Sequence, residues 1–157
     1  MVGTALISRI GNGAVLKYFE PDVFDKFDAE ARKVAQSFWK RLGYSCQNNP
    51  DTYGVDLLVA GKGKKFGCEV EVKQGWQGPT FPFPTLHIPM RKKKFTDEPT
   101  TFFVLNNEMT HAAVASRSSV LAAPIVIVKN YKVPEGEQFY SVPVEQVQVM
   151  NLIARAP

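Results

Sequence analysis

The chain has 157 residues, 45% of them hydrophobic and 22% charged, with a formal net charge of +4. That is enough chain to bury a core without staples, and it suits one domain spanning residues 1–157. Its longest apolar stretch, residues 120–128, is broken by Pro124 and too short to span a bilayer, and no basic-then-apolar leader opens the sequence. The expectation is a cytoplasmic protein with no membrane partner. Cys46 and Cys68 are the two cysteines, and neither lies in a C-x-x-C pair. That argues against a zinc ribbon or an iron–sulfur cluster and for free thiols in a reducing compartment.

In chain order, two β-rich runs at 4–10 and 14–19 flank "GNG" and read as a hairpin. Pro21 and the acids after it open a helix. Phe24, Phe27, Ala31, Val34, Ala35, Phe38 and Leu42 recur at helical spacing as one apolar stripe, and Gly43 ends it. Strands are expected near 44–47, 55–60 and 65–73. Residues 75–89, with four prolines among aromatics, read as a loop, and 90–95 as a short basic helix. A strand, a turn at Asn106–Asn107 and a second strand follow. A helical turn at 118–122, a buried strand at 124–128 and a closing strand complete the chain. The pattern is α/β or α+β: a central mixed β-sheet flanked by helices.

Two basic clusters, Lys62 to Lys65 and Arg91 to Lys94, hold seven of the 19 Lys and Arg residues. Such clusters suit phosphate. Between them lies "VDLLVAGKGKKFGCEVEVKQ". Alternation puts Phe66, Cys68, Val70 and Val72 on one face of its second strand, and Lys65, Gly67, Glu69, Glu71 and Lys73 on the other. Asp56 heads an apolar run, where a carboxylate loses solvation unless an amide or a cation compensates. Pairing of the two strands through a turn at 61–64 is expected to bring Asp56 toward Glu71 and Lys73. Carboxylates that close repel unless a divalent cation lies between them, and hard oxygen ligands suit Mg²⁺ or Mn²⁺.

Asp56, a gap of 15 positions and then Glu71-Val72-Lys73, behind an acid-rich helix, resembles the PD-(D/E)XK nuclease superfamily with its restriction-endonuclease-like fold. The resemblance covers residues 22–94. It departs from the pattern in that no proline precedes Asp56. Asp51, in "PD", is the rival acid, and Asp56 is preferred because it opens an apolar strand.

The resemblance implies a Mg²⁺-dependent DNA endonuclease (Mn²⁺ substituting), without a small-molecule cofactor, and a resolvase-like branch acting as a homodimer. It implies metal ligands Asp56, Glu71 and the Val72 carbonyl, and Lys73 orienting water or stabilising the transition-state charge. It also implies an acid from the first helix, chosen as Glu30 over Asp25 and Asp28. Glu69 is either a second-metal ligand or a solvated neighbour. Lys62, Lys64, Lys65, His87, Arg91, Lys92, Lys93 and Lys94 are the expected nucleic-acid contacts. Trp76, Phe81 and Phe83 either stack on bases or close the core. The alternatives are a non-catalytic nucleic-acid-binding module on the same fold and an assembly protein using the aromatic–proline loop as its interface.

Overall fold

The computed structural model describes residues 4–10, 13–19, 21–131 and 133–153, with side chains from residue 27 onward. The chain is a mixed α+β fold. β1 (Thr4–Ile10) and β2 (Gly13–Phe19) pair antiparallel, as the two β-rich runs predict. α1 runs from Pro21 to Arg41. Its end is a Schellman arrangement: Gly43 adopts φ +95°, its N–H meets the Lys40 carbonyl, and the Tyr44 N–H meets the Trp39 carbonyl.

After α1 the chain builds β3 (Ser45–Asn48), β4 (Leu57–Gly61) and β5 (Lys64–Val72) as an antiparallel meander. The β4–β5 turn has two central residues, Lys62 (φ 53°) and Gly63 (φ 75°). Positive φ at both positions is the twist-matched two-residue hairpin geometry. A long crossover follows. It carries β6 (Thr85–Pro89) and a 3₁₀ helix (Met90–Asp97), and it delivers β7 (Thr100–Leu105) parallel to β5. β8 (His111–Ser116) returns antiparallel to β7, and α2 (Arg117–Ala122) is capped by Ser116. β9 (Ile125–Val128), β10 (Glu137–Pro143) and β11 (Gln148–Asn151) complete the order. The central sheet is mixed, ordered β11-β8-β7-β5-β4-β3, and β6-β10-β9 form a second, antiparallel sheet.

Alternation along β5 and β7 divides the core in two. α1 covers one face, where Ala31, Ala35, Phe38 and Trp39 pack on Leu57, Val59, Cys68, Val70 and Phe103. Trp39 Nε1 donates to the buried Cys68 Sγ at 3.4 Å, and burial pushes that thiol well above its ordinary range. Both cysteines are free and buried. The opposite face carries Phe102, Val104, Ala113 and Ala115 beneath Trp76, Leu86, Ile88 and Val142. Among the described residues, no helix is long and apolar enough to cross a membrane.

Three expectations change. The loop at 75–89 contains a strand, because Thr85–Pro89 pairs along its length with β10 while Leu86 and Ile88 bury their side chains in the second core. β9 is not buried: it is an edge strand with Ile125 50% and Ile127 62% exposed. Leu42 is 41% exposed, because the helix terminates before its side chain reaches the stripe. Phe24 lies outside the residues with described side chains.

Gly67 links the fold to the residues beside Asp56. A Cβ there would meet Val55 Cγ2 at 2.6 Å, a stiff β-branched neighbour one residue before Asp56. Gly67→Ala is expected to lower stability by about 1–3 kcal/mol in urea denaturation. Gly63→Ala, where the Cβ meets open space but φ is positive, is expected to cost nearer 1 kcal/mol.

Candidate functional site

The hairpin register decides which acids meet. Leu57 pairs with Cys68, so one step outward Asp56 stands across from Glu69, not Glu71. Glu69 is on the sheet face away from α1, whereas Asp56, just before β4, also borders a cleft with Asp28 and Arg32 of α1. Asp56 bonds twice across the gap. Its carboxylate Oδ2 accepts from the Val70 N–H at 2.8 Å, and its own N–H donates to Glu69 Oε1 at 3.3 Å. The amide compensation expected for an acid heading an apolar strand is therefore present. Glu69 is not a solvated neighbour: its side chain is 11% exposed. Burial first, and then a hydrogen bond to Asp56 and that residue's charge, push its carboxyl up to about 8, against the pull of Lys92.

Glu71 lies two residues along the same face, 42% exposed at its side chain. Between the two glutamates comes Lys92, from the 3₁₀ helix folded over this face. Its Nζ is 3.5 Å from Glu69 Oε2 and 3.5 Å from Glu71 Oε2, and its side chain is 12% exposed. Lys92 was expected to face phosphate. It instead lies against Glu69 and Glu71, because the crossover returns directly above β5.

The remaining expected residues are spread more widely. Lys73 follows β5 on the glutamate face, but its ammonium lies over the Phe83 ring, 4.8 Å from the centroid. His87, on β6, stacks on Phe139 at 5.4 Å between ring centroids. Burial, and then the nearby Lys73 ammonium, hold its imidazole below the usual range. Arg91 pairs with Glu137 at 3.5 Å, while Lys93 and Lys94 are exposed. The cluster at Lys62, Lys64 and Lys65 sits at the far end of β5, roughly 13 Å from Glu69 at strand rise, and Lys62 lies over Tyr44. Trp76 is fully buried and Phe81 is 8% exposed, so neither stacks on a base; they close the core beneath the loop. Val72, the last residue of β5, packs toward α1.

The helix acid is placed differently from expectation. Glu30 is exposed and lines a cleft with Arg41 and Ile153, away from Asp56. Asp28, paired with Arg32, instead shares a cleft of about 340 Å³ with Asp51, Val55 and Asp56. Asp51 itself is exposed and organises its own turn, accepting from the Tyr53 N–H at 3.0 Å. The side chain of Asp25 is outside the described set.

Two observations bear on a divalent cation. Among the described residues, no set of three or more His, Cys, Asp or Glu side chains is gathered closely enough to hold one unaided. Yet Asp56, Glu69 and Glu71 put hard oxygen donors on one face, and the repulsion between the first two is relieved by a proton rather than by a bound charge. Carboxylate oxygens are the hard donors that Mg²⁺ and Mn²⁺ take, but as arranged here Asp56 and Glu69 are engaged with each other and with the Val70 N–H rather than opened toward a cation.

The raised Glu69 carboxyl has a definite linkage sign. In the folded chain it keeps a proton between its ordinary value near 4.5 and about 8, whereas the unfolded chain releases it. Stability from this group is therefore complete at low pH and is lost as pH rises through that window. Glu69→Gln, which cannot ionise, is expected to flatten the fall in urea midpoint between pH 5 and 8 and to be more stable than wild type at pH 8. A parallel fall in both proteins would show that Glu69 is not the group responsible. No protein-family model matches this chain, and no curated protein matches it, so the arrangement must be understood from its own chemistry.

Proposed function

We propose that the chain is a metal-dependent DNA endonuclease on a restriction-endonuclease-like core, hydrolysing phosphodiester bonds at the face that carries Asp56, Glu69 and Glu71. The observation that supports it most is the meeting of Asp56, at the head of β4, with Glu69 on β5, with Glu71 on the same face and lysines alongside. The helix α1 against a mixed sheet, with the acids on adjacent central strands, agrees with that reading.

When bound, Mg²⁺ at these oxygens supplies charge for the phosphate and a more acidic water. The chain's own groups do the rest. The Val70 N–H holds the Asp56 carboxylate in place. Lys73, beyond the end of β5 and near His87, would leave the Phe83 ring to meet a phosphate oxygen. Lys93 and Lys94, exposed on the 3₁₀ helix, would contact the phosphate backbone. The register moves the acid pair from Asp56 and Glu71 to Asp56 and Glu69, and leaves Glu71 as the third donor. A resolvase-like branch would act as a homodimer on paired strands.

A specific observation favours a second reading, a non-catalytic nucleic-acid-binding module: Lys92 already occupies the approach to Glu69 and Glu71. Cleavage decides between the two. Supercoiled plasmid, single-stranded and four-way-junction DNA are incubated with Mg²⁺ or Mn²⁺ and with EDTA. Cutting is expected with metal only, and Asp56→Asn is expected to reduce it by about 10²-fold or more. Binding without cutting on every substrate would favour the module. Separately, Lys93→Ala and Lys94→Ala are each expected to weaken DNA binding similarly across sequences. Each should lower the slope of log affinity against log salt by about one, read by fluorescence anisotropy in EDTA.

A further inference from the structure

The sheet face away from α1 is only partly covered. The second core includes no residue of β3, β4 or β5, and the outer face of these strands is left open beside the crossover. Leu58 pairs with Gln47 on one side and Gly67 on the other, and it is 38% exposed. Two adjoining cavities, of about 510 and 340 Å³, lie over Leu58 and Gly67, and both are walled by Glu98 and Pro99. Such volumes are those of clefts that enclose a small organic group. Tyr53 stands at the smaller cavity with 84% of its surface exposed. Its backbone is nevertheless held: the Tyr53 N–H donates to the Asp51 carboxylate at 3.0 Å, and the Gly54 N–H donates to the Asp51 carbonyl at 3.1 Å. Phe95 walls the same cavity, with the exposed Lys94 ammonium 5.1 Å from its ring centroid. Lys65, also exposed, borders the larger cavity. The two basic clusters thus send one lysine each to an apolar trough.

We propose that this trough is a subsite for the unpaired bases of a single-stranded nucleic acid, with Tyr53 as the stacking ring and Lys65 and Lys94 as phosphate contacts. This rests on the nucleic-acid reading above, in its catalytic or its non-catalytic form, and involves no metal. The match is one of pattern and charge. A single strand offers flat base faces flanked by phosphates, and the trough offers Leu58, Pro99 and an exposed ring with a lysine at each cavity. A duplex keeps its base faces stacked inside and presents phosphates, which gain nothing from Leu58 or Tyr53. Glu98 repels a phosphate that enters the trough, so the neutral base goes in and the phosphates stay with the lysines. Its carboxylate can accept from a base amino group, and the Gln47 amide can both donate and accept. Stacking thus falls to Tyr53 rather than to the buried Trp76 and Phe81. Val55 and Gly67, which line the smaller cavity, precede Asp56 by one residue and Glu69 by two, so the subsite adjoins the acid pair.

Fluorescence anisotropy in EDTA, with a labelled unpaired oligonucleotide of mixed sequence and a blunt-ended duplex, tests this without reference to cutting. Wild type is expected to bind the single strand more tightly than the duplex at equal salt. Tyr53→Ala is expected to weaken single-strand binding by about tenfold or more and to leave duplex binding within about twofold. Its single-strand salt dependence should match that of wild type, because no phosphate contact is lost. Tyr53→Phe, which keeps the ring, should bind as wild type does. Lys65→Ala should show the opposite signature, a single-strand slope of log affinity against log salt lower by about 0.7. Equal single-strand affinity in wild type and Tyr53→Ala overturns the proposal. So does an equal loss on both DNAs, which would mark a general effect on the surface.

A measurement on the unmodified chain keeps the test open should a variant fail to fold: photocross-linking to a bromouracil-substituted single strand, followed by mass spectrometry. Cross-links at Tyr53 or Phe95 are expected, and cross-links confined to other surfaces overturn the subsite. Sedimentation of wild type and Leu58→Glu is expected to be the same. Self-association that Leu58→Glu abolishes would give the trough to a second copy of the chain and overturn the proposal. Duplex binding alongside single-strand binding indifferent to Tyr53 removes the subsite and leaves the nucleic-acid reading standing. Absence of binding to either DNA removes the two together.

Discussion

A two-residue turn decides which carboxyl groups can meet. Lys62 and Gly63 both take positive φ, and nothing else separates β4 from β5. A turn that short fixes register completely. Each residue of β4 has one partner on β5, and a slip of a single position would exchange the faces of every side chain in the strand. With this register, Leu57, Val59, Cys68 and Val70 all point at α1, Glu69 points away, and Asp56 stands across from Glu69. The hydrophobic core and the acid pair are therefore one constraint seen from two sides. Stabilising either stabilises the other.

The acid pair is costly to hold, and the fold compensates in three ways. A backbone amide of β5 takes one Asp56 oxygen, a proton stays on Glu69 at neutral pH, and an ammonium arrives from the crossover. Each is a local answer to a buried charge, and no one of them suffices alone. A carboxylate as enclosed as Glu69 needs partners on more than one lone pair. The three supports also differ in how easily they leave. The amide is part of the sheet ladder region and is fixed. The proton exchanges with solvent pH. The lysine is on a 3₁₀ helix at the end of a flexible stem, the least constrained of the three.

Much of this was legible in the sequence, and the failures share a cause. The middle of the α1 stripe, Ala31 to Phe38, and the alternation of "FGCEVEV" reported the faces correctly, because burial imposes period 3.6 on one element and period 2 on the other. The identity of Asp56's partner was legible too, through arithmetic rather than pattern. A hairpin centred on Lys62–Gly63 makes paired residue numbers sum to 125, which puts Asp56 opposite Glu69. Matching the spacing to an E-x-K triplet obscured that count. Lys92 had no such signal. "RKKK" reads as a uniform run, and which of its four members turns inward depends on how the crossover packs. The same holds for α1. Asp28 and Glu30 are two residues apart on a helix and so diverge by about 200°. Only the docked sheet shows which one borders the cleft beside Asp56.

That crossover explains why the chemistry sits on this face of the sheet. Parallel strands cannot be joined by a tight turn, so a segment of a dozen or more residues must leave the end of β5 and return to the start of β7. Here it returns over the face opposite α1, carrying β6, the aromatic anchors Trp76 and Phe81, and the basic 3₁₀ helix. The buried aromatics fix the loop to the second core. The helix beyond them is then held above Glu69 and Glu71, with Met90 and Phe95 packed on the second core and Thr96 buried. Such an element can bring a lysine into contact with a buried acid. A lysine on β4 or β7 would be as fixed as the strand that bore it. The placement of Lys92 on the crossover, rather than on the sheet, is what lets an ammonium reach Glu69 and Glu71 from outside the strand ladder.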